Sequence, residues 1–131
     1  MLKNFLEKKA SIEGHDTEGR WLNQIHREDA ASALAGLMVR HCPGIFNVAD
    51  DTPMTQRAAY EVLVQRFPAP MPPHVTVPFE RKRAWTHKRV SNAKLRATGW
   101  APRYESYLIA LDHDPALVPS ILAQICSPAD E

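Results

Sequence analysis

Five of the eleven prolines fall within "PAPMPPHVTVP", Pro68 to Pro78, and no other stretch restricts the fold as strongly. Proline fixes φ and has no amide hydrogen, so this segment is excluded from a helix interior and from the centre of a sheet. It reads as an extended connector over residues 68–79, dividing the chain into 1–67 and 80–131. A chain of 131 residues buries roughly two-thirds of its unfolded surface around one core, so both parts belong to one compact domain. With 44% hydrophobic and 24% charged residues, the chain is globular rather than disordered.

On the N-terminal side, two short strands alternate with two helices. "RWLNQIH" places Trp21 and Ile25 among polar neighbours, suggesting a strand over Leu22–His26. From Asp29 the period changes: Ala30, Ala33, Leu34, Leu37 and Met38 recur at i, i+3, i+4, i+7 and i+8 and form one helical face. Arg40 and His41 suit the negative end of that helix, and Pro43 and Gly44 stop it. Ile45–Val48, bounded by Gly44 and by Asp50 and Asp51, predicts a second strand, and Thr55 is the N-cap of a helix reaching Phe67. This order predicts an α/β fold with a partial Rossmann-like sheet of two or three strands joined by right-handed crossovers.

Beyond the connector, "SNAKLRATGW" reads as a short helix capped by Ser91. Gly99 ends it in the left-handed conformation, and Leu95 and Trp100 make the hydrophobic contact of a Schellman ending. Asp114 as N-cap and Pro115 at the first helical position introduce an amphipathic helix through Ile125. Residues 80–131 are therefore a small helical segment.

Charge is distributed unevenly. Residues 80–103 hold eight cations (Arg81, Lys82, Arg83, Lys88, Arg89, Lys94, Arg96, Arg103) and one acid, giving +7 against −6 for the rest of the chain. Such asymmetry points to an anionic ligand. Trp85 and Trp100 lie among these cations as in single-strand nucleic-acid binders, but Trp100 already serves the helix ending and charge runs are usually solvated, so no nucleic-acid partner is expected. The first residues lack an apolar run long enough for a signal peptide or membrane span, which predicts a cytoplasmic protein without a membrane partner.

The chemistry-bearing motifs are few. The five glycines are scattered, so neither a dinucleotide fingerprint nor a P-loop is present. Cys42 and Cys126 have no Cys-x-x-Cys spacing, and the six histidines show no metal-ligand spacing, so no disulfide and no metal site is expected. His26 and Asp29 admit two readings. A carboxylate three residues from an imidazole can orient it as a general acid or base; alternatively His26 ends the strand while Asp29 caps the helix.

"WLNQIHREDAASAL", "GIFNVADDTPMT" and "HKRVSNAKLRATGWAPRYESY", in this order and separation, resemble the C-terminal half of extended short-chain dehydrogenase/reductase proteins of the NAD-dependent epimerase/dehydratase type, over roughly Arg20 to Leu111. The resemblance implies that residues 1–67 are the C-terminal portion of a Rossmann-like unit and 80–131 a substrate-domain segment. It implies a substrate cleft bordered by Gln24, His26, Lys88, Arg89 and Asn92, receiving a nucleotide sugar or another anionic small molecule. Family members carry a Gly-rich motif for NAD or NADP and a catalytic Tyr-x-x-x-Lys pair ahead of this region. Here Tyr60, Tyr104 and Tyr107 are followed four residues later by Val64, Leu108 and Leu111, so no catalytic residue is assigned and no cofactor is expected on this chain alone. The implied protein is a substrate-side fragment, not catalytic alone, that forms a homo-oligomer or is completed by a missing N-terminal half. The alternative is a non-catalytic binding or regulatory module for a phosphorylated metabolite or a protein.

Overall fold

The computed structural model describes residues 1–76 and 87–126. In chain order the elements are α1 (Leu2–Leu6), β1 (Ile12–Glu13), β2 (Trp21–Leu22), α2 (Arg27–Val39), β3 (Met54–Thr55), α3 (Gln56–Arg66), β4 (His74–Val75), α4 (Ala93–Arg96), α5 (Tyr107–His113) and α6 (Leu117–Cys126). The fold is mixed α/β, a partial Rossmann-like arrangement with two small sheets. β1 pairs parallel with β4, Ile12 opposite His74, and β2 pairs antiparallel with β3, Trp21 opposite Thr55. β4 lies within the proline-rich connector. The preceding Pro73 keeps its carbonyl, which accepts from the Ile12 amide at 2.9 Å, and a two-stranded sheet asks nothing of β4's other edge.

Both expected strands are corrected. The Leu22–His26 ladder stops at Leu22 because the next residues are engaged by loops. The Asn23 side chain donates to the Lys88 carbonyl and accepts from the Val90 amide, each at 2.8 Å, and the Gln24 carbonyl accepts from the Asp50 amide at 2.6 Å. Ile45–Val48 is irregular. Phe46 and Val48 pack against the cluster of Ala33, Leu95 and Trp100, while Ile45 is 88% exposed, so the short apolar run that suggests a strand is met by one-sided packing without a ladder. β2 and β3, the strands next to α2 in the chain, pair antiparallel, so no right-handed crossover links them.

The helices start largely where short polar side chains allow. Thr55 accepts from the Ala58 amide at 3.2 Å and opens α3. Gly99 adopts φ +90° after α4, and Leu95 and Trp100 share a buried cluster as expected. α4 is shorter than its pattern, with Asn92 at the N-cap position, while the Ser91 hydroxyl accepts from the Ala93 amide at 3.2 Å. α6 begins at Leu117, after a turn in which Asp114 accepts from the Ala116 amide at 3.0 Å. Gly19, at φ +71°, lies where a Cβ would meet the Ile12 side chain at 2.6 Å, and this close approach seats β1 against the start of β2.

Two apolar clusters form. Leu2, Phe5, Ile12, Tyr60, Leu63 and Leu111 make the larger, overlaid by Leu117, Val118 and Ile121 of α6. Ala33, Leu95 and Trp100 make the smaller, with Ile25, Leu37, Phe46 and Val48 partly buried against it. Each draws residues from both sides of the connector. Among the described residues no helix is long and apolar enough to cross a membrane.

Candidate functional site

Asp29 is not the N-cap of α2. His26 occupies that position, its imidazole Nδ1 accepting from the Glu28 amide at 3.3 Å. Asp29 sits within the first turn, 3% exposed, and its carboxylate accepts from the Arg103 amide at 2.7 Å and the Tyr104 amide at 3.1 Å. A segment 75 residues downstream is thereby stitched to α2. His26 also has a different partner: Nε2 lies 2.9 Å from Asp114 Oδ2, and the ring meets Tyr104 edge-on at 4.6 Å. With Nδ1 accepting, Nε2 carries the hydrogen and donates to Asp114. The Ala116 amide and then the imidazole hold the Asp114 carboxyl below the usual carboxylate range. Both ring nitrogens are thus used inside the fold, and His26 acts as a cap and a tie.

The open polar site lies elsewhere. A cleft of about 310 Å³ separates the turn at 50–53 from residues 89–92, with Asp50 and Asp51 on one side and Arg89, Ser91 and Asn92 on the other. The turn is fixed from three directions. Asp50 donates its amide to Gln24, Asp51 donates its amide to the Glu105 carbonyl at 3.1 Å, and Asn92 Nδ2 reaches the carbonyls of Ala49 and Asp50 and the Asp51 carboxylate at 2.7–3.2 Å. Arg96 pairs with Asp51 through Nε at 2.7 Å and through a second guanidinium nitrogen. This bidentate pair, with Asn92, holds the Asp51 carboxyl below its ordinary pKa.

Asp50 has the opposite environment. It is 4% exposed, and burial pushes its carboxyl up to about 6, against the pull of the Thr52 and Tyr107 amides. The neighbouring carboxylates Asp51 and Asp29 push in the same direction as burial. Adjacent acids in one turn therefore differ in state: near neutrality Asp51 is an ion-paired carboxylate, and Asp50 titrates.

Across the cleft, Arg89 rests its guanidinium 5.7 Å from the centre of the Trp21 ring, and the Asn23 clamp on 88 and 90 fixes the backbone on either side of it. Of the residues expected to border a substrate cleft, Arg89 and Asn92 line this one. Gln24 supports it through its main-chain carbonyl, Lys88 is an exposed neighbour of Arg89, and His26 faces Asp114 instead. The amide nitrogen of Asn92 is spent on internal acceptors. Trp85 and the cations at 81–83 lie outside the described residues. The sequence presents Asp50 and Asp51 only as turn formers and Arg96 only as one of eight clustered cations, and it gives no sign of Asn23. The signal it had was the doubled aspartate ending an apolar run, a place where one carboxyl must turn inward.

Among the described residues no group of three or more His, Cys, Asp or Glu is arranged to hold a metal ion. The described glycines make no phosphate cradle for a dinucleotide. Gly19 and Gly44, both with positive φ, precede a strand and an irregular segment, and Gly99, also with positive φ, follows α4, so none forms a phosphate cradle at a helix N-terminus.

No family model and no curated protein matches the sequence. The chain is similar to a solved structure described as that of a functionally unknown conserved protein from Silicibacter pomeroyi DSS, with a TM-score of 0.62 and 25% identity. The match covers 90% of this chain and 42% of that protein, so the chain spans less than half the length of the solved structure it resembles.

Proposed function

We propose that this chain is the substrate-side portion of an NAD(P)-dependent epimerase/dehydratase-like protein and that the Asp50–Arg89 cleft receives a nucleotide sugar or a closely related anionic metabolite. The observation that carries this reading is the composition of the cleft. A guanidinium planted on Trp21 offers a fork suited to phosphate oxygens, and the ion-paired Asp51 carboxylate opposite, 21% exposed, keeps an edge that can accept from a sugar hydroxyl. The length relation to the Silicibacter pomeroyi structure supports the portion reading. Hydride transfer needs a cofactor and an acid/base pair that this chain does not supply, so NAD or NADP would be held by a companion half, and this chain alone binds without catalysing.

A second reading is a non-catalytic binding or regulatory module for a phosphorylated metabolite or a protein, in which the Asp50–Arg89 cleft would act without a companion half. Calorimetric titration with UDP-glucose and, separately, with NAD and NADP tests the proposal. Binding of UDP-glucose weakened at least about tenfold by Arg89→Ala with Lys88→Ala, and no binding of either dinucleotide, is the expected result. Absence of UDP-glucose binding sinks it.

A further inference from the structure

The charges of the Asp50–Arg89 cleft are shared unequally. Arg96 is committed to Asp51, which leaves Arg89 as the one cation lining the cleft among the described residues. Asp50, 4% exposed in the cleft wall, accepts from the Thr52 amide at 3.2 Å and from the Tyr107 amide, and pairs with no cation among the described residues. The charged groups that act on it are Asp51 in its own turn and Asp29 on α2, both of its own sign. The other groups around it are engaged elsewhere. Arg89 rests on Trp21, the Arg103 side chain turns to Glu28 at 3.5 Å, and the Tyr107 hydroxyl accepts from the Leu2 amide. The Glu105 carboxylate acts on Arg96 while its carbonyl accepts from the Asp51 amide, and Asn92 is spent on acceptors other than the Asp50 carboxyl.

We propose, on the reading of this cleft as an anion site, that the ligand is taken up together with one proton, which Asp50 holds while the ligand is bound. With Asp50 ionised, two carboxylates stand against Arg89 and Arg96, and these groups present no net charge to an anion. With Asp50 protonated, the same groups carry one positive charge. A carboxyl as buried as Asp50 is poorly screened by water, so an anion seated on Arg89 favours the protonated form, as a like charge in a shared site does. Burial already holds this carboxyl at about 6 in the free protein, so little work is needed to protonate it near neutrality. Affinity is therefore highest below pH about 6, where the proton is in place. It falls as the pH rises through about 7, where the ligand must either recruit the proton or face the charge.

Calorimetric titration of the full chain with UDP-glucose between about pH 5.5 and about pH 8, in two buffers of different ionisation enthalpy, tests the proposal. Both phosphates of UDP-glucose are esterified, so the ligand itself exchanges no proton in that range. Binding is expected to be at least about fivefold tighter at the acid end than at the alkaline end, with about half a proton taken up per ligand near pH 6.5, as a shift of about one unit in one carboxyl requires. Asp50→Asn should abolish both the pH dependence and the uptake, and should bind more tightly than wild type at about pH 8. His87→Gln, which removes the imidazole 6.5 Å from the Trp21 ring, should leave the uptake in place. Binding without proton uptake overturns the proposal and leaves the cleft an anion site. Uptake that persists in Asp50→Asn, or that disappears in His87→Gln, places the proton elsewhere and overturns it too. No binding at any pH sinks the anion-site reading and the proposal together.

Discussion

The two apolar clusters solve the same packing problem to different degrees. Around Leu2, Phe5, Ile12, Tyr60, Leu63 and Leu111, helices and a strand from distant parts of the chain converge, and α6 closes the outside with Leu117, Val118 and Ile121. Around Ala33, Leu95 and Trp100 the buried set is half as large, and Ile25, Leu37, Phe46 and Val48 are only partly covered. The first cluster is dominated by apolar packing, with buried Gln56 tying β1 and the start of β2 to α3. The second depends on polar ties, above all Asp29 to the 103–104 amides, Trp100 Nε1 to the Ser32 hydroxyl at 3.0 Å and Asn92 to the turn at 49–51. The Asp50–Arg89 cleft and the open face of α2, a groove of about 600 Å³ lined by Leu34, Leu37 and Met38, both adjoin this second region. The larger buried set lies in one region, and the open cleft and groove lie beside the other.

The sharpest test of that division is a cavity in the first region. Leu63→Ala removes a fully buried side chain and should cost about 3–4 kcal/mol in denaturant unfolding. A loss near 1 kcal/mol would place the two clusters on an equal footing. In the second region the corresponding weak point is polar. Asp29→Ala leaves the Arg103 and Tyr104 amides without their acceptor and should cost about 2–3 kcal/mol. Asp29→Asn, which keeps one carbonyl oxygen, should cost less. Equal losses for the two variants would mean that packing at this position, rather than the hydrogen bonds, supports α2.

The same division explains what the sequence discloses. Features fixed by neighbours along the chain are legible: Thr55 as a cap, Gly99 with its positive φ, the Leu95–Trp100 contact and the two unpaired cysteines, Cys42 and Cys126. Features fixed by distant residues are not. Asp29 looks like a cap because aspartate near a helix start usually is one, yet its amide partners lie 74 and 75 residues away. His26 looks like half of a local pair, yet its carboxylate lies 88 residues away. Ile45–Val48 has the composition of a strand, and only the absence of an adjacent strand among the described residues makes it a loop. Of the cleft, Arg89 and Asn92 are legible in the sequence; Asp51 is not, because the partners that hold it, Asn92 and Arg96, lie 41 and 45 residues downstream.

Acid titration sharpens the comparison from the cleft side. The Asp50 carboxyl is raised from 3.8 to about 6, so the folded protein holds this proton more tightly than the unfolded chain. The resulting stabilisation is fully present below pH about 3.8 and is lost as the pH rises through 6. Above pH 7, therefore, wild type carries the burden of a buried charge. Asp50→Asn should stabilise the protein there by about 1–2 kcal/mol, after allowing for screening by water in the cleft, and should flatten the stability profile between pH 4 and 7. A wild-type profile already flat in that window would mean that Asp50 is as well solvated as an ordinary surface acid.

The smallest effect is expected where apolar surface is already open. Leu34→Ser removes a side chain that is 60% exposed and touches neither cluster's buried set, so unfolding at 1 μM should change by less than about 0.5 kcal/mol. The contrast with Leu63→Ala is the informative quantity, because both substitutions shorten a leucine on a helix and differ in what surrounds it. If Leu34→Ser costs as much as a core truncation even at 1 μM, the face of α2 is covered within a single chain. In that case the second region is as closed as the first.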